Sequence, residues 1–142
     1  MAAKSRYEMG VHILVLLAIE PDKMKTSHEL AKDLSVNPVV VRRILSGLHK
    51  GGLIKSSKGP TGGSRLAHSP KSITLGDAYK ALLPGPLFHA PEGARAETAR
   101  LQSVLGRHFQ SAQEALEEQL GDTTLAQILK KLAKTPKKQE AE

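Results

Sequence analysis

Apolar residues recur at helical spacing close to the start of the chain, and they predict a first helix over residues 5–19. The stripe consists of Tyr7, Val11, Leu14 and Ala18, and Val15 and Leu17 widen it. Pro21 ends this helix, because proline has no amide proton to continue the helical hydrogen bonds. The apolar run is far shorter than the roughly 20 residues that cross a bilayer, so it predicts a buried helix and no membrane anchor.

Two more helices are predicted directly downstream, with a tight turn between them. Thr26 and Glu29 have the spacing of a capping box, in which each side chain satisfies a free amide at the start of a helix that runs to Leu34. The pair Asn37-Pro38 starts the third helix, because asparagine caps a helix and proline fits its first position. Gly51 and Gly52 end that helix after Lys50, since glycine tolerates the left-handed conformation that follows a helix.

The third helix has two chemically different faces. The inward face is apolar and consists of Val40, Val41, Ile44, Leu45 and Leu48. The outward face consists of Val39, Arg42, Arg43, Ser46 and His49. A helix that presents small and basic side chains outward can enter a DNA major groove, which is about 12 Å wide.

The period changes from helical to alternating after the third helix. Residues 53–56 and 64–67 are short strand candidates, and the glycine-rich segment 58–63 can form the tip of a hairpin. Lys55, Lys58 and Arg65 can contact phosphates or an adjacent minor groove. The order of three helices and a hairpin predicts a winged helix-turn-helix over residues 1–83, which a fourth helix, capped by Thr74, completes near Leu83.

The second half of the chain predicts a loop, a long helix and a short final helix. Prolines and glycines mark residues 84–93 as the loop, and the long helix runs from about Ala94 to Leu120. Asp122 or Thr123 caps a final turn or two that ends near Leu132, and the two helices form a unit over residues 94–133. The tail over 134–142 is expected to be disordered.

The long helix carries an apolar stripe that its own small domain cannot cover, which favours a second copy as its partner. The predicted dimer interface consists of Leu101, Leu105, Phe109, Ala112 and Leu116.

Composition and charge narrow the class of protein. Aromatic residues make up 3% of the chain, too few for a base-stacking platform of the kind that binds single strands. Residues 1–70 carry 11 lysines and arginines against 5 acidic residues, whereas residues 71–142 carry 10 against 9. The basic excess therefore lies in the half that contains the predicted winged helix, as expected for a protein that faces a polyanion.

Three other kinds of function have weaker support in the sequence. The six histidines form no closely spaced pair, so no metal site is expected, although His89 and His108 flank the loop and are the pair to test. Paired carboxylates, a nucleophile with its base and a phosphate loop are all missing, so the chain is not expected to be an enzyme. A winged helix that binds another protein instead of DNA is the alternative function.

Several segments of the chain resemble the Rrf2 family of bacterial transcription regulators. They are Ser27–Ala31, Arg43–Ile54, Lys58–Ala67 and Ile73–Asp77, and the Gly-Pro-x-Gly-Gly sequence of the hairpin is the most specific of them. The resemblance implies a cytoplasmic homodimer that binds a roughly palindromic operator, and it favours a repressor. The operator sequence, the regulated genes and the inducing signal, with any small-molecule effector, remain open.

The resemblance, together with the outward face of the third helix, gives a set of candidate DNA contacts. They are Asn37, Val39, Val40, Arg42, Arg43, Ser46, Lys58, Gly59, Pro60, Thr61 and Arg65. The basic residue before the Gly-Pro pair is usually arginine in the family. Lys58 keeps the charge but not the forked guanidinium that contacts two acceptors at once.

The departure from the family lies in the predicted loop. Cluster-binding members carry three cysteines there, which makes it their sensory loop, whereas this chain has no cysteine anywhere. It is therefore expected to be a cluster-free member without a cofactor.

Overall fold

The computed structural model describes residues 3–83, 85–88 and 95–137. In these ranges the chain forms six helices and one two-stranded antiparallel hairpin, which confirms the predicted mostly helical class. The elements are α1 (Ala3–Ile19), α2 (Ser27–Leu34), α3 (Pro38–Lys50), β1 (Ile54–Ser57), β2 (Gly63–Leu66), α4 (Leu75–Leu82), α5 (Ala96–Gly121) and α6 (Leu125–Lys134).

Helix α1 is the centre of the hydrophobic core. Ile13, Leu14 and Leu17 are buried, and the helix packs against α3, α4, α6 and β2. Because neighbours lie on several of its sides, the buried surface is wider than the predicted stripe, and Tyr7 and Val11 are only half-buried at its edge. Each fully buried aliphatic side chain of this kind contributes about 1.5–3 kcal/mol to stability.

Helix α4 approaches α1 and α3 closely, because glycines face its last turn. A Cβ atom on Gly10 of α1 would collide with Cδ1 of the buried Leu82, and one on Gly47 of α3 would lie 3.0 Å from Cδ2 of the same leucine. A residue larger than glycine at position 10 or 47 would therefore crowd the side chain of Leu82.

The predicted helix starts are confirmed by their hydrogen bonds. Thr26 and Glu29 form the reciprocal capping box of α2, and Thr74 forms one with Asp77 at the start of α4. The Asn37 side chain accepts a hydrogen bond from the amide of Val39 at 2.9 Å and so caps α3. Between α2 and α3, Ser35 has a left-handed backbone with φ of 55°, which produces the tight turn.

Each hairpin strand lies one residue away from its predicted position. Ile54 pairs with Leu66, and Ser57 pairs with Gly63 at the other end of the ladder. Leu53 was predicted to start the first strand, but its amide instead donates to the carbonyl of Leu48 at 3.0 Å and closes the end of α3.

A third segment of the chain pairs with the hairpin, and the sequence did not predict it. Lys25, just before α2, pairs with Ser64 of β2 through two backbone hydrogen bonds of 2.8 and 3.0 Å. This pairing ties the hairpin to the chain that enters the helix-turn-helix.

The C-terminal part corrects the prediction for the final helix. Asp122 ends α5, and the carbonyl of Thr123 accepts a hydrogen bond from the amide of Leu75. Thr124 caps α6 through a reciprocal capping box with Gln127, and it also pairs with Thr74. Helix α6 is also longer than the turn or two predicted, with ten residues ending at Lys134.

Leu125 at the start of α6 is completely buried in the same core as α1. The division of the chain at residue 83 stays a prediction, but α6 contributes to the core of the first half. Thr135–Lys137 follow α6 as exposed, non-helical residues, and the rest of the predicted disordered tail, 138–142, lies outside the described residues. The same is true of residues 84 and 89–93 of the predicted loop.

Candidate nucleic-acid interface

Helix α3 separates its faces as its sequence predicted. Val41, Ile44 and Leu48 are completely buried against the core. On the opposite face, Val39 is 47% exposed although it is apolar, and the other four predicted residues of that face are exposed too. The helix therefore presents a surface of small and basic side chains that the fold itself does not use.

Two of the candidate contacts on α3 already have a structural role. Val40 is half-buried and packs against the core, so it lies at the edge of the outward face and not on it. Asn37 is exposed, but its side-chain oxygen caps the helix through the amide of Val39. Arg42, Arg43 and Ser46 remain as the exposed polar side chains of the predicted set on this helix.

The hairpin places two positive charges opposite each other. Lys55 and Arg65 are directly paired across the two strands, and both are exposed, whereas Ile54 and Leu66 are buried. Like charges in opposite positions of a ladder destabilise a sheet unless an anion lies close to them. The pair therefore concentrates positive charge on the exposed face of the hairpin.

The tip of the hairpin is a tight turn with very little side-chain bulk. The amide of Gly62 donates to the carbonyl of Gly59 at 2.9 Å, and the turn between them contains Pro60 and Thr61. At the base of the turn, Gly63 has a φ of 142°, and a Cβ there would lie 2.6 Å from the carbonyl oxygen of Lys25. Lys58, Gly59, Pro60 and Thr61 are all exposed, so a large anionic surface can approach the backbone of the tip.

The basic side chains of α3 and the hairpin form no ion pairs with carboxylates in the described structure. In the ranges 3–83, 85–88 and 95–137, the ion pairs are Lys23 with Glu20 and Lys25 with Asp33. Six exposed lysines and arginines on α3 and the hairpin thus have no carboxylate partner in the described structure. They are Arg42, Arg43, Lys50, Lys55, Lys58 and Arg65.

The predicted dimer residues lie on α5. Leu101 is 56% exposed, Phe109 is 40% exposed, and Leu105 and Ala112 are exposed as well, while Leu116 is half-buried. Val104, which the prediction did not include, is also exposed on this helix. Most of the apolar surface of α5 is thus left uncovered by the residues of its own chain.

A buried glutamine on α5 was missed by the sequence interpretation. Gln113 is 6% exposed, and its side chain binds the hydroxyl of Tyr79, the carboxylate of Glu117 and the backbone amide of Leu87. It stands four residues after Phe109 and three before Leu116. A polar residue at a stripe position was therefore the signal that could have identified it.

The histidines do not assemble a metal site in the described structure. Among the described residues, no group of three potential ligands of the His, Cys, Asp or Glu type comes together. His108 is exposed on α5, and His89 lies outside the described residues. None of the helices in the described ranges has both the length and the apolar character needed to cross a membrane.

Known proteins resemble this chain over most of its length. Residues 3–131 match the Rrf2 family model, described as iron-dependent transcriptional regulator. A candidate HTH-type transcriptional regulator of Bacillus subtilis (strain 168), YwnA, is 33% identical over 133 residues, which cover 90% of this chain and 97% of YwnA.

Solved structures share the fold. A candidate transcriptional regulator from Lactobacillus plantarum has a TM-score of 0.75 and 27% identity, and the match covers 90% of this chain and 89% of that one. A candidate DNA-binding protein has a TM-score of 0.73 and 29% identity, with coverage of 87% and 98%.

The iron dependence in the family description does not fit the donor set of this chain. An iron–sulfur cluster needs thiolate ligands, and the chain contains no cysteine. The loop residues that could replace them in the described part are Gly85, Pro86, Leu87 and Phe88, none of which has a metal-binding side chain. The chain therefore cannot hold a cysteine-ligated cluster.

Proposed function

Because the chain belongs to the Rrf2 family of transcription regulators, we propose that it binds operator DNA as a homodimer with one winged helix-turn-helix in each subunit. It acts as a repressor on a roughly palindromic operator, since subunits related by a two-fold axis read half-sites related in the same way. The protein works in the cytoplasm, where the DNA is, and it has no enzymatic activity and no resident cofactor.

The observation that carries the proposal is the group of six exposed lysines and arginines on α3 and the hairpin that form no ion pair in the described structure. Lys55 and Arg65 are the most telling, because they repel each other in the free protein. Phosphates would relieve this repulsion, and release of their counterions would favour binding. A surface that served only for solubility would not need two cations in paired positions.

The two elements have different roles in this proposal. Arg42 reads base edges in the major groove, because it stands on the exposed face of α3, and Arg43 contacts either a base or a phosphate. Lys58 and the backbone around Gly59 contact phosphates beside an adjacent minor groove. Lysine acts there as a point charge, so the tip contributes affinity more than sequence preference.

Dimerisation follows from the exposed stripe on α5. Helix α5 has 26 residues and is about 39 Å long at 1.5 Å per residue. Its exposed leucines and Phe109 would be covered by α5 of a second copy, which removes an apolar surface from water and relates the two α3 helices by a two-fold axis.

The test is selection of bound sequences from random duplex DNA, followed by measurement of affinity at several salt concentrations. The proposal predicts an enriched palindrome and an affinity that falls steeply as salt rises. Arg42→Ala should cost about 1–3 kcal/mol and relax the preference at one position in each half-site. The matched control is Arg100→Ala, which removes the same charge from an exposed position on α5, outside the proposed DNA interface.

Two results would contradict the proposal. If Arg42→Ala and Arg100→Ala bound the selected operator equally well, α3 would not be the recognition helix. If the protein bound no duplex even at low salt, it would instead be a winged helix that recognises another protein.

A further inference from the structure

A cavity of about 360 Å³ lies between the loop residues Pro86 and Phe88 and the part of α5 from Thr98 to Gln113. Its apolar wall is formed by Pro86 and Phe88 from the loop and by Leu101, Leu105 and Phe109 from the helix. The rings of Phe88 and Phe109 stack at a centroid distance of 4.6 Å and an angle of 14°. The volume is within the lower range of small-molecule sites, which begins at about 300 Å³.

The chemistry of the lining selects a neutral ligand. None of the described residues that line the cavity has an ionisable side chain, although a quarter of the chain is charged. The polar groups are a threonine hydroxyl and glutamine amides, among them Gln110 and Gln113. Such a cavity favours a molecule with an apolar ring and one or two uncharged hydrogen-bonding groups, because an ion would lose its hydration without gaining a counter-charge.

The loop wall of the cavity is held in place by a buried side chain. The carbonyl oxygen of Gln113 accepts a hydrogen bond from the backbone amide of Leu87 at 3.1 Å. Its amide nitrogen donates to the hydroxyl of Tyr79 on α4 at 2.9 Å. A single glutamine therefore fixes the loop, and with it the position of Phe88, relative to α4.

We propose that this cavity binds a neutral small molecule containing an aromatic or alicyclic ring, which packs beside the Phe88–Phe109 pair. The regulatory part of this inference rests on the proposed function, and in it the ligand is the effector that changes operator affinity. The proposed coupling between the ligand and DNA passes from Gln113 to Tyr79 on α4. Leu82 of the same helix lies against Gly47 of the recognition helix α3. The cavity lies on the face of α5 that also carries the proposed dimer contact, so in the dimer the ligand would bind between the two copies, and a side chain from the second copy is the competing occupant.

The experiment uses the full chain in its solution oligomeric state and the neutral fluorophore N-phenylnaphthylamine, whose emission rises in apolar sites. We expect saturable binding with one site per chain. Gly106→Leu introduces a side chain from α5 into the cavity, and nothing in the described structure lies within 4 Å of the Cβ position there, so the helix can accept it. This variant should lose measurable probe binding, and Phe88→Ala should weaken it about tenfold or more.

Leu132→Ala is the matched control, because it removes a similarly exposed apolar side chain from α6, away from the cavity. Its probe affinity should equal that of the unmodified chain. Circular dichroism and light scattering on every variant establish that the fold and the oligomeric state are unchanged.

Three results would overturn the proposal. The first is that the unmodified chain does not bind the probe, which is expected if a second copy fills the cavity. The second is that Gly106→Leu binds the probe as well as the unmodified chain does. The third is that Leu132→Ala loses as much probe binding as Gly106→Leu. Operator binding by the same preparations separates this failure from that of the proposed function. If the chain binds operator but not the probe, only the proposed ligand site is wrong. If it binds the probe but not DNA, the proposed function as a DNA-binding regulator is wrong.

Discussion

Gln113 of α5 donates a hydrogen bond of 2.9 Å to the hydroxyl of Tyr79 of α4, and both side chains are buried. Tyr79 in turn meets the ring of Tyr7 of α1 edge-on, with a centroid distance of 5.8 Å. Helices α1, α4 and α5 are therefore joined by a ring contact and a hydrogen bond at the edge of an aliphatic core. A buried polar group stabilises a fold only while its partners remain.

Gln113→Ala is expected to destabilise the protein by about 1–3 kcal/mol, because the hydroxyl of Tyr79 and the amide of Leu87 would lose their partner. Gln119→Ala on the exposed part of the same helix is the control and should change stability by less than about 0.5 kcal/mol. Urea unfolding followed by circular dichroism measures both. Equal effects in the two variants would mean that the buried bonds of Gln113 add nothing.

Gly10→Ala is expected to destabilise the chain even though alanine is the better helix former. The gain in helix propensity is about 1 kcal/mol, whereas overpacking against Leu82 costs about 1–3 kcal/mol. Gly106→Ala on α5 meets no atom within 4 Å and should instead be stabilising. In a Leu82→Ala background the penalty at Gly10 should shrink, and a penalty that stayed unchanged would exclude this contact as its cause.

Tyr7 is expected to lose its proton at higher pH than a free tyrosine. Burial, and secondarily the neighbouring Tyr79, raise the pKa of Tyr7 above 10.0, and its hydroxyl donates to the carbonyl of Leu75 at 3.0 Å. The stability that this group contributes is complete below pH 10 and is lost as the pH rises through the folded-state pKa.

The chain has two tyrosines and no tryptophan, so the ultraviolet titration of tyrosinate in the unmodified chain and in Tyr7→Phe isolates this group. Tyr7→Phe should also flatten the fall of the free energy of unfolding above pH 10. Identical slopes in the two proteins would contradict the linkage.

Arg65→Thr is expected to have opposite effects on folding and on DNA binding. Removal of one member of the Lys55–Arg65 pair relieves like-charge repulsion, worth about 0.2–1 kcal/mol of stability. The same change should weaken operator binding and reduce its logarithmic salt slope by about 1. Arg65→Lys keeps the charge and should keep both properties, and a Thr variant that retained the full salt slope would remove Arg65 from the interface.

Local chemistry made much of the fold predictable. The starts of α2, α3 and α4 depend on side chains that bond to their own first turn, so Thr26, Asn37 and Thr74 could be identified from spacing alone. The outward face of α3 followed from the helical period in the same way.

The error at the cap of α6 was local, because Thr124 and Gln127 have the same capping-box spacing as Thr26 and Glu29. The other errors come from partners distant in sequence. Lys25 pairs with β2 for reasons that its own neighbours do not encode. Gln113 is buried because Tyr79 and Leu87 face it, and neither lies near it in sequence.

The burial of Leu125 within the core around α1 has a consequence for synthesis of the protein. Chains leave the ribosome N-terminus first, at about 5–20 residues per second. The helix-turn-helix and hairpin emerge early, yet α1 keeps an open apolar side until Leu125 and the rest of α6 have been made and have passed the exit tunnel. A nascent or prematurely terminated chain that stops inside α5 therefore carries the DNA-reading elements without a closed core, and it is a natural substrate for chaperones and proteases.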